Sequence, residues 1–177
     1  MITLVIGGVR SGKSRWAQDM AAKARNVVFL ATAEAMDDEM RAKIARHRRE
    51  RPAHWRTVEV PVELDMAISE YGSQCEVLLV DCLTTFTANL MEAEQNNADK
   101  IMERVDRLCH ALHQAGASVV LVSNEAGSGV VPFYESGRQF RDLLGEVNQK
   151  IARIAGKVVL MVAGCPVVIK EAAGTAP

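Results

Sequence analysis

The sequence reads Ile2-Thr3-Leu4-Val5-Ile6 and continues at once into Gly7-Gly8-Val9-Arg10-Ser11-Gly12-Lys13-Ser14. The first run is apolar and rich in β-branched residues, which predicts a buried strand. The second matches G-x-x-x-x-G-K-S/T, a loop whose backbone N–H groups point inward at phosphate oxygens. A helix beginning near Lys13 would direct its positive end at the same anion. The stretch therefore predicts a nucleotide-binding P-loop, with Lys13 on the β- and γ-phosphates and the Ser14 hydroxyl on Mg²⁺.

Length and composition place the chain among ordinary globular domains. Its 177 residues suffice for one well-buried domain, and 24% charged with 49% apolar residues is typical of that class. The net charge of −1 means that any site for a polyanion must be local. We expect neither a membrane span nor a signal peptide, since no apolar run approaches roughly 18–20 residues and a strand begins at residue 2.

The four cysteines, at positions 75, 82, 109 and 165, form no C-x-x-C pair and have no zinc-finger spacing. We expect them to be reduced, mostly buried side chains of a cytoplasmic protein.

Strand and helix patterns alternate along the chain. Short runs rich in apolar and β-branched residues predict seven strands, over residues 2–6, 27–31, 57–60, 77–81, 118–122, 158–162 and 167–169. Helical periodicity predicts helices over 14–24, from after Asp38 to about Arg49, over 64–71, and over about 84–94, 100–114 and 140–155. This alternation predicts a single α/β domain, residues 1–171, with helices on both faces of a mainly parallel sheet. Residues 172–177 are expected to form a loose tail.

Asp81 is the best candidate for a second part of the site. It follows four apolar strand residues, as a Walker-B aspartate does, and would hold Mg²⁺ directly or through water. The alternative is that Asp81 caps the helix that follows.

A strongly basic segment runs from residue 41 to residue 56, with one acidic residue, Glu50, among seven basic ones. His47 shares the predicted helix face of Met40 and Ile44. Four interpretations stay open: a solvated basic face, a nucleic-acid patch, a cationic lid over nucleotide phosphates, or a catalytic histidine among phosphate-binding arginines. No aromatic interleaving or known nucleic-acid motif supports the second.

Two further groups of residues are candidates. Asn124, Glu125, Gly127 and Gly129 form a glycine-bearing loop after a predicted strand, where substrate contacts are common, although a plain turn would have the same composition. His110 and His113 are spaced to share a metal ion, but no further ligand is evident, and surface positions on an amphipathic helix are favoured.

Several separate motifs resemble one known family, the bifunctional adenosylcobinamide kinases / adenosylcobinamide-phosphate guanylyltransferases of cobalamin biosynthesis. The family's G-G-x-R-S-G-K-S loop matches residues 7–14. The resemblance continues through Ala31-Thr32, residues 37–40, His47-Arg48-Arg49-Glu50-Arg51-Pro52, residues 122–132, Phe140-Arg141-Asp142, Gly145 and Asn148-Gln149. Ala126, where a larger aliphatic residue is usual, and Cys165, in a turn that is usually G-L-P-like, depart from the pattern without removing a functional group.

The resemblance implies a three-layer, RecA-like P-loop fold, a homotrimer, and catalytic roles for Lys13 and His47. His47 matches the histidine that carries GMP covalently. The positions implied to contact GTP are Gly7, Gly8, Val9, Arg10, Ser11, Gly12, Lys13, Ser14, Ala31, Thr32, Ala33, Arg48, Arg49, Glu50, Arg51, Glu59 and Asp81. Ser14 and Asp81 would also hold Mg²⁺.

These observations predict a two-step enzyme. ATP or GTP would phosphorylate adenosylcobinamide, and GMP would then pass from GTP through His47 to adenosylcobinamide phosphate, giving adenosylcobinamide-GDP. The alternative is a monofunctional P-loop small-molecule kinase in which His47 is only a lid residue. A nucleotide-dependent RNA-binding module is a third class, although we expect no nucleic-acid partner.

Overall fold

A seven-stranded sheet organises the computed structural model, which describes residues 1–34, 38, 41, 45, 48, 49 and 51–172. The strands are β1 Ile2–Gly7, β2 Val27–Ala31, β3 Arg56–Glu59, β4 Val77–Asp81, β5 Ser118–Val122, β6 Lys157–Val162 and β7 Cys165–Glu171. Their order across the sheet is β3-β2-β4-β5-β1-β6-β7, and only the last pair, β6 and β7, is antiparallel. The predicted mainly parallel sheet of about seven strands is confirmed.

Five helices are described outside the partly described segment 35–50. They are α1 Lys13–Ala21, α2 Leu64–Tyr71, α3 Leu83–Ala93, α4 Ala98–Gln114 and α5 Glu135–Ile154. Of the helix predicted after Asp38 and up to Arg49, residues 41, 45, 48 and 49 are described, and all four are helical, as is Asp38 itself. No helix within the described ranges is long and apolar enough to cross a membrane.

Two predicted helix boundaries are wrong, and the predicted tail is described only at Ala172. The prediction that the first helix reaches residue 24 is wrong, because the N–H of Ala24 donates to the carbonyl of Ala21, three residues back, in a tighter turn. The last helix begins at Glu135, not at 140, although its first turn contains the weak helix formers Ser136 and Gly137. Of the predicted tail, Ala172 donates its N–H to the carbonyl of Gly156, and residues 173–177 lie outside the described residues.

Two apolar clusters cover the two faces of the sheet. Successive residues of β2 alternate between them: Val28 and Leu30 join the larger cluster, while Val27 and Phe29 join the smaller one. Helices α2, α3, α4 and α5 supply the larger cluster, and α1 together with Trp55 supplies the smaller one. Because residues alternate sides along a strand, a continuous apolar run is what a sheet buried on both faces requires. The three-layer arrangement is therefore confirmed, with unequal outer layers.

Gly72 ends α2 at a point where the backbone is crowded. A Cβ placed on it would lie 2.6 Å from the carbonyl oxygen of Ile68 and 3.2 Å from Cβ of Ala115. We expect Gly72→Ala to lower the free energy of unfolding by about 1–3 kcal/mol, because the backbone must shift to accept the methyl group. Urea denaturation followed by circular dichroism measures the change.

Gly145→Ala is the matched control. Gly145 lies inside α5, and no described atom comes within 4 Å of its Cβ position. Alanine has the higher helix propensity, so this variant should gain about 0.5–1 kcal/mol of stability. Equal losses in both variants would show that crowding at Gly72 is not the cause.

Candidate active site at the P-loop

The P-loop leads directly from β1 into α1, as its sequence predicts. Gly12, the residue before α1, has φ of 94°, a conformation that favours glycine. A Cβ on Gly12 would lie 3.3 Å from Cα of Gly164 in the β6–β7 turn, and one on Gly7 would lie 2.5 Å from the carbonyl oxygen of Met161. The loop is therefore packed against β6 and the turn that follows it, and both glycines are required for that approach.

The Lys13 side chain folds back over the loop. Its Nζ donates to the carbonyl oxygen of Gly8 at 2.6 Å and to Oγ of Ser11 at 3.4 Å. Lys13 is only 7% exposed, and burial lowers the pKa of its amine, with Cys82 and Asp81 acting in the opposite direction. Because a buried ammonium group is poorly solvated, an anion placed beside it gains a strong attraction.

Asp81 and the P-loop are joined across β5. Oγ of Ser14, in the first turn of α1, donates to Oδ1 of Asp81 at 3.4 Å. The alternative that Asp81 caps the next helix is wrong, because Cys82 is the residue at the N-terminus of α3. The two oxygen atoms are of the kind that Mg²⁺ prefers, and they lie at the edge where the P-loop would hold phosphates.

The register of the sheet brings two other predicted residues, Ala31 and Glu59, into one row with Asp81. Ala31 pairs with Glu59 of β3 on one side and with Asp81 of β4 on the other. These residues end their strands, so they lie together at the carboxyl edge of the parallel sheet, where open α/β folds bind ligands. Ala33, two residues beyond β2, lies near the same edge and is half-buried.

Thr32 fixes the backbone at this edge. Its Oγ1 accepts a hydrogen bond from the N–H of Cys82 and donates to the carbonyl of the same residue, both at 2.8 Å. Asn89 of α3 donates to the carbonyls of Thr32, at 2.8 Å, and Pro61, at 3.0 Å. Sequence reasoning missed Asn89, although an asparagine between the buried residues Phe86 and Leu90 of a helix was a usable signal.

Among the described arginines of the basic segment, Arg51 differs from the others in being only partly exposed. The Arg51 guanidinium lies over the Phe29 ring, with Cζ 3.6 Å from the ring centroid, whereas Arg48 and Arg49 are exposed. Burial lowers the pKa of Arg51, and nearby Arg48 acts in the same direction while Asp81 and Glu59 oppose it. His47 and Glu50 lie outside the described residues.

The loop after β5 lies beside the P-loop. The N–H of Glu125 donates to the carbonyl of Gly7 at 3.0 Å, and the Glu125 carboxylate accepts the N–H groups of Gly127 and Ser128 at 2.9 and 3.2 Å. The N–H of Asn124 donates to Oγ1 of Thr84 at 2.8 Å. The glycine-bearing loop is therefore anchored next to the predicted phosphate site.

Neither the two candidate histidines nor the four cysteines belong to a metal-binding cluster among the described residues. His110 and His113 are both exposed on α4, as the surface interpretation predicts. Among the described residues, no group of three or more His, Cys, Asp or Glu side chains is close enough to hold a metal ion by itself. All four cysteines are free, but the expectation that they are mostly buried is wrong: Cys165 is exposed, because β7 is an edge strand, and the other three are half-buried.

Comparison with known proteins gives consistent matches over nearly the whole chain. A family described as "Cobinamide kinase / cobinamide phosphate guanyltransferase" matches residues 3–169. The bifunctional adenosylcobalamin biosynthesis protein CobU of Escherichia coli (strain K12) is 41% identical, covering 96% of this chain and 100% of that protein. The corresponding CobP of Pseudomonas aeruginosa is 40% identical, covering 96% of this chain and 98% of that protein.

A solved structure shares the fold without a close sequence relationship. It is a prototypical ATPase from the type III secretion system of pathogenic bacteria, with a TM-score of 0.60 and 10% sequence identity over 90% of this chain and 50% of that chain. At this level of sequence identity, the similarity shows that the two proteins share a fold, and it says nothing about substrates or residue roles.

Gly12→Ala tests whether the packed P-loop is needed for nucleotide binding. We expect a loss of about 1–2 kcal/mol of stability from the φ of 94° and at least about a tenfold weaker affinity for GTP, measured by isothermal titration calorimetry. The matched control is Gly164→Ala, which has φ of 83° but no described atom within 4 Å of its Cβ position. That variant should lose similar stability and bind GTP normally.

Proposed function

Because the chain belongs to the cobinamide kinase / cobinamide phosphate guanyltransferase family, we propose that one P-loop site serves both reactions of a bifunctional transferase of cobalamin biosynthesis. The enzyme phosphorylates adenosylcobinamide with ATP or GTP and then transfers GMP from GTP to adenosylcobinamide phosphate. The observation that carries the one-site proposal is the hydrogen bond of 3.4 Å between Ser14 and Asp81, which links the P-loop to the row of candidate GTP contacts. The chain also has only one G-x-x-x-x-G-K-S/T match.

In the first reaction, the acceptor hydroxyl of adenosylcobinamide attacks the γ-phosphorus. The bond from that phosphorus to the β-phosphate oxygen breaks, the hydroxyl proton goes to solvent, and a nucleoside diphosphate leaves. Catalysis of this kind rests on positioning and charge neutralisation. Lys13 supplies a cation already placed against the loop, and Arg48 and Arg49, which are exposed, would supply further ones.

In the second reaction, we propose that His47 attacks the α-phosphorus of GTP and pyrophosphate leaves. A phosphate oxygen of adenosylcobinamide phosphate then attacks the bound GMP, the P–N bond breaks, and neutral histidine is restored. Histidine suits this role because its ordinary pKa of about 6.5 leaves it mostly neutral and nucleophilic at pH 7. Arg51, held over Phe29 beside Asp81 and Glu59, is positioned to stabilise charge at this edge.

Ser14 and Asp81 fit the requirements of Mg²⁺, since phosphate-transfer sites commonly give this ion one or two protein oxygens and leave its other positions to phosphate and water. When bound, Mg²⁺ would neutralise charge on the phosphate oxygens. The homotrimer that the family resemblance implies and the cytoplasmic location that the cysteine pattern predicts both stay predictions; sedimentation equilibrium measures the first.

Lys13→Ala should abolish both reactions, because a single P-loop holds the triphosphate for each. Loss of a charged phosphate contact typically lowers the rate by about 10²–10³-fold or more. Steady-state assays of the two half-reactions measure the effect, with Lys23→Ala, an exposed lysine just beyond α1, as the matched control. Guanylyl transfer at the wild-type rate in Lys13→Ala would require a second nucleotide site.

His47→Ala should separate the two reactions. The P-loop and Asp81 remain, so phosphorylation of adenosylcobinamide should persist, whereas guanylyl transfer should fall to background. With wild-type protein, α-labelled GTP should leave a protein-bound label that survives base and is released by acid, as a P–N bond is. The control is His54→Ala, which changes an exposed histidine in the same basic segment and should label normally.

The labelling result also decides between the two enzyme classes. An acid-labile adduct that persists in His47→Ala would place the nucleophile elsewhere. A wild-type protein that phosphorylates adenosylcobinamide but never carries label would be the monofunctional kinase.

A further inference from the structure

The loop between β5 and α5 exposes a group of large apolar side chains, which we name the 130–134 surface. Val130 is 94% exposed, Val131 61%, Phe133 89% and Tyr134 75%. Single exposed apolar residues are common on proteins, but four within five residues are not. A group of exposed apolar side chains in one loop is typical of a surface that binds another molecule.

The 130–134 surface is held outward by its own contacts. Nη1 of Arg138 donates to the carbonyl oxygens of Pro132 at 3.2 Å and Phe133 at 2.6 Å. A Cβ on Gly137 would lie 2.8 Å from Cβ of Pro132, so the first turn of α5 packs closely against the loop. The rings of Phe133 and Tyr134 meet edge to face, with centroids 5.5 Å apart. These contacts fix the backbone while leaving the side chains in solvent.

The same loop begins at the P-loop, where the N–H of Glu125 donates to the carbonyl of Gly7. From Glu125 to Val130 the chain spans at most about 18 Å even when fully extended. Val9, within the P-loop, is itself 82% exposed. Val130, where the apolar surface begins, therefore lies within about 18 Å of Glu125, a distance that a large acceptor with its reacting group at the P-loop can span.

We propose that the 130–134 surface binds the corrinoid macrocycle of the acceptor during both transfers. This inference rests on the proposed function, which requires a large acceptor to place one hydroxyl or phosphate at the P-loop while its bulk stays outside. A corrinoid has a methyl-rich rim with uncharged amide side chains. Residues 126–134 carry no charged side chain, which suits such a rim and not a polyphosphate. The Tyr134 hydroxyl and the glycine backbone groups can hydrogen-bond amides.

The test compares two double variants that each remove two exposed apolar side chains. Val131→Ser/Phe133→Ser changes the proposed surface, and Met66→Ser/Ile169→Ser changes side chains that are 65% and 58% exposed elsewhere. The first should raise the KM for adenosylcobinamide at least about tenfold, since apolar contact area is lost. It should leave GTP affinity and formation of the GMP adduct from GTP alone unchanged. The control should change none of these values.

Each other outcome has a distinct meaning. An unchanged KM in Val131→Ser/Phe133→Ser overturns the inference, and so does weaker GTP binding, which would assign the surface to the nucleotide. A changed sedimentation coefficient would assign it to contact between copies of this chain and also overturn it. If the double variant unfolds, Phe133→Ala alone carries the same expectation. A wild-type protein that consumes GTP but turns over no adenosylcobinamide would instead refute the proposed function.

Discussion

A buried ammonium group is the constraint on which the P-loop edge depends. Lys13 has to be close to the loop backbone to neutralise a phosphate, yet removing a cation from water is costly without polar partners. The carbonyl of Gly8 and the hydroxyl of Ser11 are those partners. They are neutral acceptors, so they keep the amine in place without satisfying its charge. A phosphate at the loop would therefore meet a cation that these acceptors hold in position.

The rest of the sheet brings complementary groups to the same edge. Parallel pairing of β3, β2 and β4 aligns Glu59, Ala31 and Asp81 in one row, and β5 separates that row from the P-loop. The hydrogen bond from Oγ of Ser14 to Oδ1 of Asp81 connects the row to the P-loop. The strand order that buries the apolar runs therefore also brings the polar residues at the ends of the strands together at the site.

Sequence patterns predicted the parts of the fold that depend on local composition. The strands Val27–Ala31, Val77–Asp81 and Ser118–Val122 have the bounds predicted for them, because each is a short apolar run ended by polar or turn residues. The predicted start of α5 was wrong because packing contacts outweigh helix propensity there, with Gly137 packed against Pro132. The stacking of Arg51 on Phe29 and the bridge from Asn89 to Thr32 depend on long-range packing, which periodicity does not encode.

The unequal outer layers of the sheet have a consequence for spectroscopy. Both tryptophans of the chain, Trp16 and Trp55, belong to or pack against the smaller cluster, on the face that α1 covers. Trp55 is 6% exposed and follows closely after Arg51 in the basic segment. Intrinsic fluorescence excited at the indole band therefore reports on one side of the sheet only. A rearrangement of the basic segment would alter the tryptophan emission. Structural changes among α2, α3, α4 and α5 would alter it little.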